Sequence, residues 1–185
     1  MTEFEVPLFE RTFYFLRHGE TESNRLKTIA GSLDVELNGV GREQARGAID
    51  RVRPLGITHI TSSSLRRARE TAAIIAAALN LPHAVVPDLG ERNWGELEGK
   101  PRALRKRGVT PPGAETLEEF IERTRGGLAR VQAGGVPLVV AHSGTFRVLC
   151  NLFGLEEPVE PIANCHPVRF VPPPAAGGKW KIEVL

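Results

Sequence analysis

The stretch Thr12-Phe13-Tyr14-Phe15-Leu16-Arg17-His18-Gly19-Glu20-Thr21 opens with aromatic and β-branched residues, which favour extended chain, and then breaks into ionisable residues and a glycine. In an open parallel sheet, ligands bind beyond the carboxyl ends of the strands, where loops and the amino ends of helices converge. A strand that ends in an arginine and a histidine therefore decides the fold, provided that the pattern recurs. Further candidate strands lie at 57–61, 84–87, 137–141, 168–171 and 180–184. Ser62-Ser63-Ser64-Leu65-Arg66-Arg67 follows the second, Asp88-Leu89-Gly90-Glu91 the third and His142-Ser143-Gly144 the fourth. The first four strands thus bring ionisable residues to one rim.

Segments of helical period separate these strands. Asn38 is placed to cap a helix running to Val52, with Ala45, Ile49 and Val52 inward. Ala68, Ala72, Ile75, Ala76 and Leu79 recur at helical spacing up to Asn80, an acceptable stop. Thr116 and Glu119 form a capping box ahead of Phe120, Thr124, Leu128 and Val131. Phe146, Leu149, Cys150 and Phe153 make a fourth apolar face ending at Gly154. Such alternation predicts an α/β fold: one three-layer αβα domain over 1–185, with helices on both faces of a mostly parallel central sheet. The last two strands flank a turn-rich stretch at 172–178 and suit a hairpin or an antiparallel edge.

Composition narrows the class. The 185 residues are 41% hydrophobic and 25% charged, which excludes fibrous and disordered chains. No apolar run approaches the roughly 20 residues of a membrane span. Glu3, Glu5 and Pro7 do not fit a secretory signal, so the expected location is cytoplasmic. Cys150 and Cys165 read as small buried residues. A net charge of +2 argues against a nucleic-acid partner, although 19 of the 24 basic residues are arginine, whose planar fork suits phosphate and carboxylate.

Two histidines, arginines and a carboxylate on one rim can bind a dianion and transfer its phosphorus. Phosphoryl transfer requires positioning and charge neutralisation above all. A neutral imidazole is a competent nucleophile when an acceptor on its second nitrogen fixes the tautomer. Arginines neutralise the equatorial oxygens, and a carboxylic acid can protonate the leaving alkoxide.

These residues also carry a family resemblance. Arg17-His18-Gly19-Glu20-Thr21 with Asn24 resembles the opening motif of the histidine phosphatase superfamily, the phosphoglycerate mutase-like fold. The blocks 63–72, 89–99 and 139–145 agree with it in order and spacing, and Pro112-Gly113-Ala114-Glu115-Thr116-Leu117 resembles the segment before the penultimate helix; the likeness spans about residues 13–171. The resemblance implies that His18 is the nucleophile that becomes phosphohistidine. Arg17, Arg67 and His142 would surround the phosphate, with Asn24 adding a hydrogen bond and Glu91 acting as proton donor and later as base. No metal and no cofactor are implied. Ser143 and Gly144 open a helix whose free amides would also lie near the phosphate.

The expected partner is a small phosphate ester, with no nucleic acid and no membrane; the oligomeric state is not legible. His59, His83, Arg66 and Arg69 read as structural or solvated, His166 as a loop residue beside the pocket, and Glu96 and Glu98 as rivals of Glu91. Arg102, Arg105, Lys106 and Arg107 form a basic cluster that reads as a solvated face unless it covers the pocket mouth, where it would favour an additional negative group. Only about a dozen residues separate Gly99 from Pro112, where mutases of the family carry a longer insertion, and Ser32 stands near where they commonly have tryptophan. The expectation is therefore a phosphomonoesterase. A cofactor-dependent phosphoglycerate mutase is the enzymatic alternative, and a catalytically silent phosphate-ester binding protein the non-enzymatic one. All of this requires the two imidazoles to meet around one anion while remaining open to solvent.

Overall fold

The computed structural model describes residues 7–132, 134–156, 162–174 and 178–185. Glu3, Glu5 and part of the turn-rich 172–178 stretch lie outside them. Six strands form one sheet: β1 (Phe13–Arg17), β2 (His59–Ser62), β3 (His83–Val85), β4 (Pro137–Ala141), β5 (Pro167–Val171) and β6 (Lys181–Val184). Their order is β3-β2-β4-β1-β5-β6, with β1 to β4 mutually parallel and β5 and β6 antiparallel additions at one side. The α/β fold with an antiparallel edge is as the sequence implies.

Strand alternation builds two cores. Phe13, Phe15, Val139 and Ala141 face one layer and Tyr14, Leu16, Leu138 and Val140 the other. Helices α1 (Glu22–Arg25) and α2 (Gly39–Val52) follow β1, α3 (Arg66–Leu79) follows β2, α4 (Leu117–Ala129) precedes β4 and α5 (Ser143–Leu152) follows it. Ala45, Ala48, Ala72 and Ala76 let α2 and α3 lie close together under Leu16 and Ile60. The opposite layer is aromatic: Phe13 stacks on Phe170 at 4.7 Å and Trp180 on Phe153 at 4.0 Å.

The predicted caps form. Asn38 accepts from the Gly41 amide, Thr116 and Glu119 make the reciprocal capping box, and Asn80 stops α3 in the left-handed region. Helix α1 is an addition to the predicted set: Thr21 caps it, with Asn24 in the place usually taken by Glu or Gln. Gly39-Val40-Gly41 opens α2, and Gly41 has a second duty: a side chain there would lie 2.1 Å from the Glu20 carbonyl, and one at Gly19 2.4 Å from the Gly41 carbonyl. Glycine at both positions lets the loop after β1 press against α2.

Candidate active site

Placing β4 between β2 and β1 sets three strand ends side by side. The Ala141 carbonyl accepts from the His18 amide at 3.0 Å, and the Val140 carbonyl from the Ser63 amide at 3.1 Å. The side chains that follow these strands therefore meet. The His18 and His142 ring centroids lie 5.2 Å apart with the planes inclined at 58°.

His18 Nδ1 lies 2.7 Å from the Gly19 carbonyl, which can only accept, so Nδ1 carries the proton and Nε2 keeps its lone pair. Burial, and then the charges of Arg67 and Arg17, hold this imidazole well below the usual histidine range. His142 pairs through Nε2 with Ser63 Oγ at 2.8 Å, while its Nδ1 is buried without a partner. Burial again leads its downward shift, followed by Arg67, His18 and Arg17. The sequence did not single out Ser63, which also accepts from the Leu65 amide.

Two loops hold the guanidinium groups. Arg67 donates Nη1 to the Leu33 carbonyl and Nη2 to that of Gly31, at 2.8 and 2.7 Å. Arg17 donates Nη1 to the Ile162 carbonyl at 2.8 Å, and its buried Nε has no partner. Burial first, then Arg102 and Arg67, lower the Arg17 pKa to about 10. The 162–166 loop adds Asn164, whose Nδ2 donates to the His18 carbonyl at 2.6 Å; His166 Nδ1 turns back to the Asn164 carbonyl. The requirement stated from the sequence is met in one half only: the two rings meet, but they are not open, His18 being 5% exposed and His142 fully buried, so a substrate phosphate reaches them only if the covering chain yields. Two clefts flank the site, and neither is lined by the histidines. One, of about 600 Å³, is lined by Arg17, Asn24 and Asn164; the other, of about 670 Å³, by Ser64, Glu91 and Arg123.

Glu91 reaches the rim from the turn after β3. Its carboxylate accepts from the Arg92 amide at 2.9 Å, the Gly144 amide at 3.0 Å and Ser143 Oγ at 3.4 Å. The start of α5, which the sequence offers to phosphate, thus receives a carboxylate here, and Ser143 faces Glu91. Arg123 fixes the same turn, donating to the carbonyls of Asp88, Gly90 and Glu91 while pairing with Glu115. Glu98 is committed elsewhere, to the Ser32 amide and hydroxyl and the Trp94 amide. Asn24 Oδ1 accepts from Thr21, and Asn24 borders the cleft with Arg17. His83 pairs with Ser62, and Arg66 and Arg69 are exposed, as their bland readings have it.

Among the described residues no three His, Cys, Asp or Glu side chains are grouped to hold a metal, and no helix is long and apolar enough to cross a membrane. A mostly parallel sheet with two imidazoles and two buried guanidinium groups at the carboxyl ends of its parallel strands defines the class, an α/β protein with a cationic rim. The chain belongs to the histidine phosphatase superfamily (branch 1), whose model matches residues 13–168. It is 38% identical over 140 residues to the "uncharacterized phosphatase PhoE" of Bacillus subtilis, covering 72% of each chain. It is 35% identical over 193 residues to the "probable phosphoglycerate mutase GpmB" of Yersinia pestis, covering 92% of this chain and 90% of that one. A mycobacterial glucosyl-3-phosphoglycerate phosphatase solved with VO3 superposes with a TM-score of 0.80 at 25% identity, over 94% of this chain and 98% of that one.

Proposed function

We propose that the chain is a phosphomonoesterase acting on a small phosphate ester through a phosphohistidine on His18. The observation that carries this is the His18 tautomer, set by the Gly19 carbonyl, with the His142 ring 5.2 Å away. The lone pair of His18 Nε2 forms a bond to phosphorus as the ester P–O bond breaks, and Glu91, which takes up a proton from solvent when the phosphate dianion binds beside it, gives that proton to the leaving alkoxide. Glu91, now a carboxylate, takes a proton from water as its oxygen attacks phosphorus. The N–P bond breaks and neutral His18 returns. Arg17 Nε and His142 Nδ1, buried without partners, supply hydrogen bonds to the phosphoryl oxygens, with Ser63 donating to His142 Nε2 so that Nδ1 holds the proton. Arg67 adds charge and Asn24 is a further ligand of the bound phosphate, whereas Ser143, expected from the sequence to bind it, donates to Glu91.

Rapid quenching with a phosphate ester, followed by phosphorus NMR, tests the assignment. A phosphohistidine forms in the native enzyme and is absent from His18→Ala; a phosphoenzyme in that variant refutes the role of His18.

The likeness to the protein named for phosphoglycerate mutase supports a second reading, transfer of the phosphoryl group to another hydroxyl of retained substrate. The short 100–111 segment favours water as acceptor. Incubation with 3-phosphoglycerate separates the two: a hydrolase releases inorganic phosphate, a mutase the 2-isomer.

A further inference from the structure

The tautomer of His18 depends on the Gly19 carbonyl, and that carbonyl follows a residue with no side chain to steer it. Glycine torsions are soft, so hydrogen bonds rather than sterics must hold the plane of the Gly19–Glu20 peptide. Both ends of this peptide are engaged. Its carbonyl accepts from His18 Nδ1 at 2.7 Å, and its N–H, that of Glu20, donates to Gln44 Oε1 at 2.8 Å. An amide N–H can only donate, so Gln44 presents its oxygen here.

Helix α2 delivers Gln44 for a local reason. Gln44 stands three residues after Gly41 and so shares its face, and the bare Gly41 lets that face meet the loop after β1. Asn38, the cap of α2, adds two bonds to the same place: its N–H donates to the Glu20 carbonyl at 3.0 Å and its Nδ2 to Glu20 Oε1 at 2.8 Å. The peptide on the other side of Gly19 is held from α3. There the Gly19 N–H donates to Thr71 Oγ1 at 3.0 Å, and this hydroxyl donates to the Arg67 carbonyl at 2.7 Å. Thr71 is fully buried, whereas Gln44 is half-buried and can be replaced with less disturbance of packing.

Hydrogen bonds in series polarise one another, so an engaged N–H makes the carbonyl of the same peptide a stronger acceptor. Burial foremost, then Arg67 and Arg17, works against a proton on His18, and the Gly19 carbonyl is what opposes them. A stronger, fixed acceptor on Nδ1 keeps the proton there and the lone pair on Nε2.

We propose that Gln44 is a positioning residue for His18: through the Gly19–Glu20 peptide it aims the acceptor that sets the imidazole tautomer, without touching substrate. The kinetic consequence rests on the phosphatase reading above. Partners that orient an imidazole through its other nitrogen are worth about 10–100-fold in metal sites, and one peptide further out the expected loss is about tenfold.

Two variants test this. Gln44→Met keeps the length of the side chain and removes the acceptor, whereas Gln44→Glu retains one. Nitrogen NMR of the resting protein, with isotope-labelled histidine and the His18 signals assigned by their loss in His18→Gln, reads the tautomer directly. The native protein shows one protonated and one bare ring nitrogen. In Gln44→Met the two signals move toward each other, and the burst of p-nitrophenol that accompanies phosphoenzyme formation from p-nitrophenyl phosphate slows about tenfold while KM stays near its native value. Gln44→Glu restores signals and burst. Native signals in Gln44→Met, or equal impairment of the methionine and glutamate variants, overturns the proposal; Gln44→Leu repeats the deletion if methionine is not accommodated. If no phosphoenzyme forms even in the native protein, the phosphatase reading falls, and the nitrogen signals still decide the role of Gln44.

Discussion

The Glu91 carboxylate rests on the amino end of α5, with Oε2 3.0 Å from the Gly144 amide. Glycine is what allows the approach: a β-carbon at 144 would lie 2.0 Å from Glu91 Oε1 and 3.0 Å from Phe120 Cζ. Gly144→Ala therefore displaces the proposed acid while leaving the imidazoles in place. General acid catalysis contributes about 10²–10⁴-fold, so kcat on alkyl phosphates falls within that range. p-Nitrophenyl phosphate, whose leaving group needs little protonation, loses far less. Equal losses on both substrates would count against Glu91 as proton donor.

Arg123 ties the Glu91 turn to α4 through three backbone carbonyls and Glu115. Lysine keeps the charge but cannot span these acceptors. Arg123→Lys costs about 2 kcal/mol in urea unfolding, as expected for charge-assisted hydrogen bonds that are partly lost. It also steepens the dependence of kcat on leaving-group pKa. If stability drops and that dependence stays native, Arg123 serves the fold alone.

Arg67→Ala removes a buried donor from the proposed phosphate site, and by analogy with oxyanion-hole donors costs about 3 kcal/mol of transition-state stabilisation, or about 150-fold in kcat/KM. Arg67→Lys recovers little of this, because the two carbonyls that aim the guanidinium, Gly31 and Leu33, need both Nη groups. Steady-state kinetics showing full recovery by lysine would reduce Arg67 to a point charge.

Stability depends on pH through the buried imidazoles. Burial, assisted by Arg67 and Arg17, depresses both His18 and His142, whereas in the unfolded chain each titrates near about 6.5. Above that pH both states are neutral and stability is complete. Below it the unfolded chain takes up two protons that the native protein refuses, so stability falls with pH by up to about 2.7 kcal/mol per unit. Urea midpoints between pH 8 and 5 record the slope, and His18→Gln/His142→Gln flattens it. An unchanged slope in the double variant would assign the acid sensitivity to other groups.

Local rules made much of this legible. Strand β4 has the bounds read from the sequence, and the Thr116–Glu119 box and the Asn38 cap need only neighbours three residues away. The meeting of His18 with His142 followed from the strand pattern, since parallel strands share a rim. What escaped depends on distant partners. Ser63 is 79 residues from His142 and Asn164 is 146 from His18, and a lone serine or asparagine carries no signal of either bond. The depth of the imidazoles was misjudged for the same reason: the 31–33 and 162–164 loops that fold over the arginines are irregular chain with no periodicity to read.

The antiparallel ribbon beside β1 bears on how the protein behaves when concentrated. Unpaired amide and carbonyl groups at a sheet border are templates for fibre growth. One border here, β3, is only three residues long, and the other, β6, turns Lys181 and Glu183 to solvent. An incoming strand finds little length to zip along on one side and meets Lys181 and Glu183 on the other, which works against edge-to-edge growth at both borders.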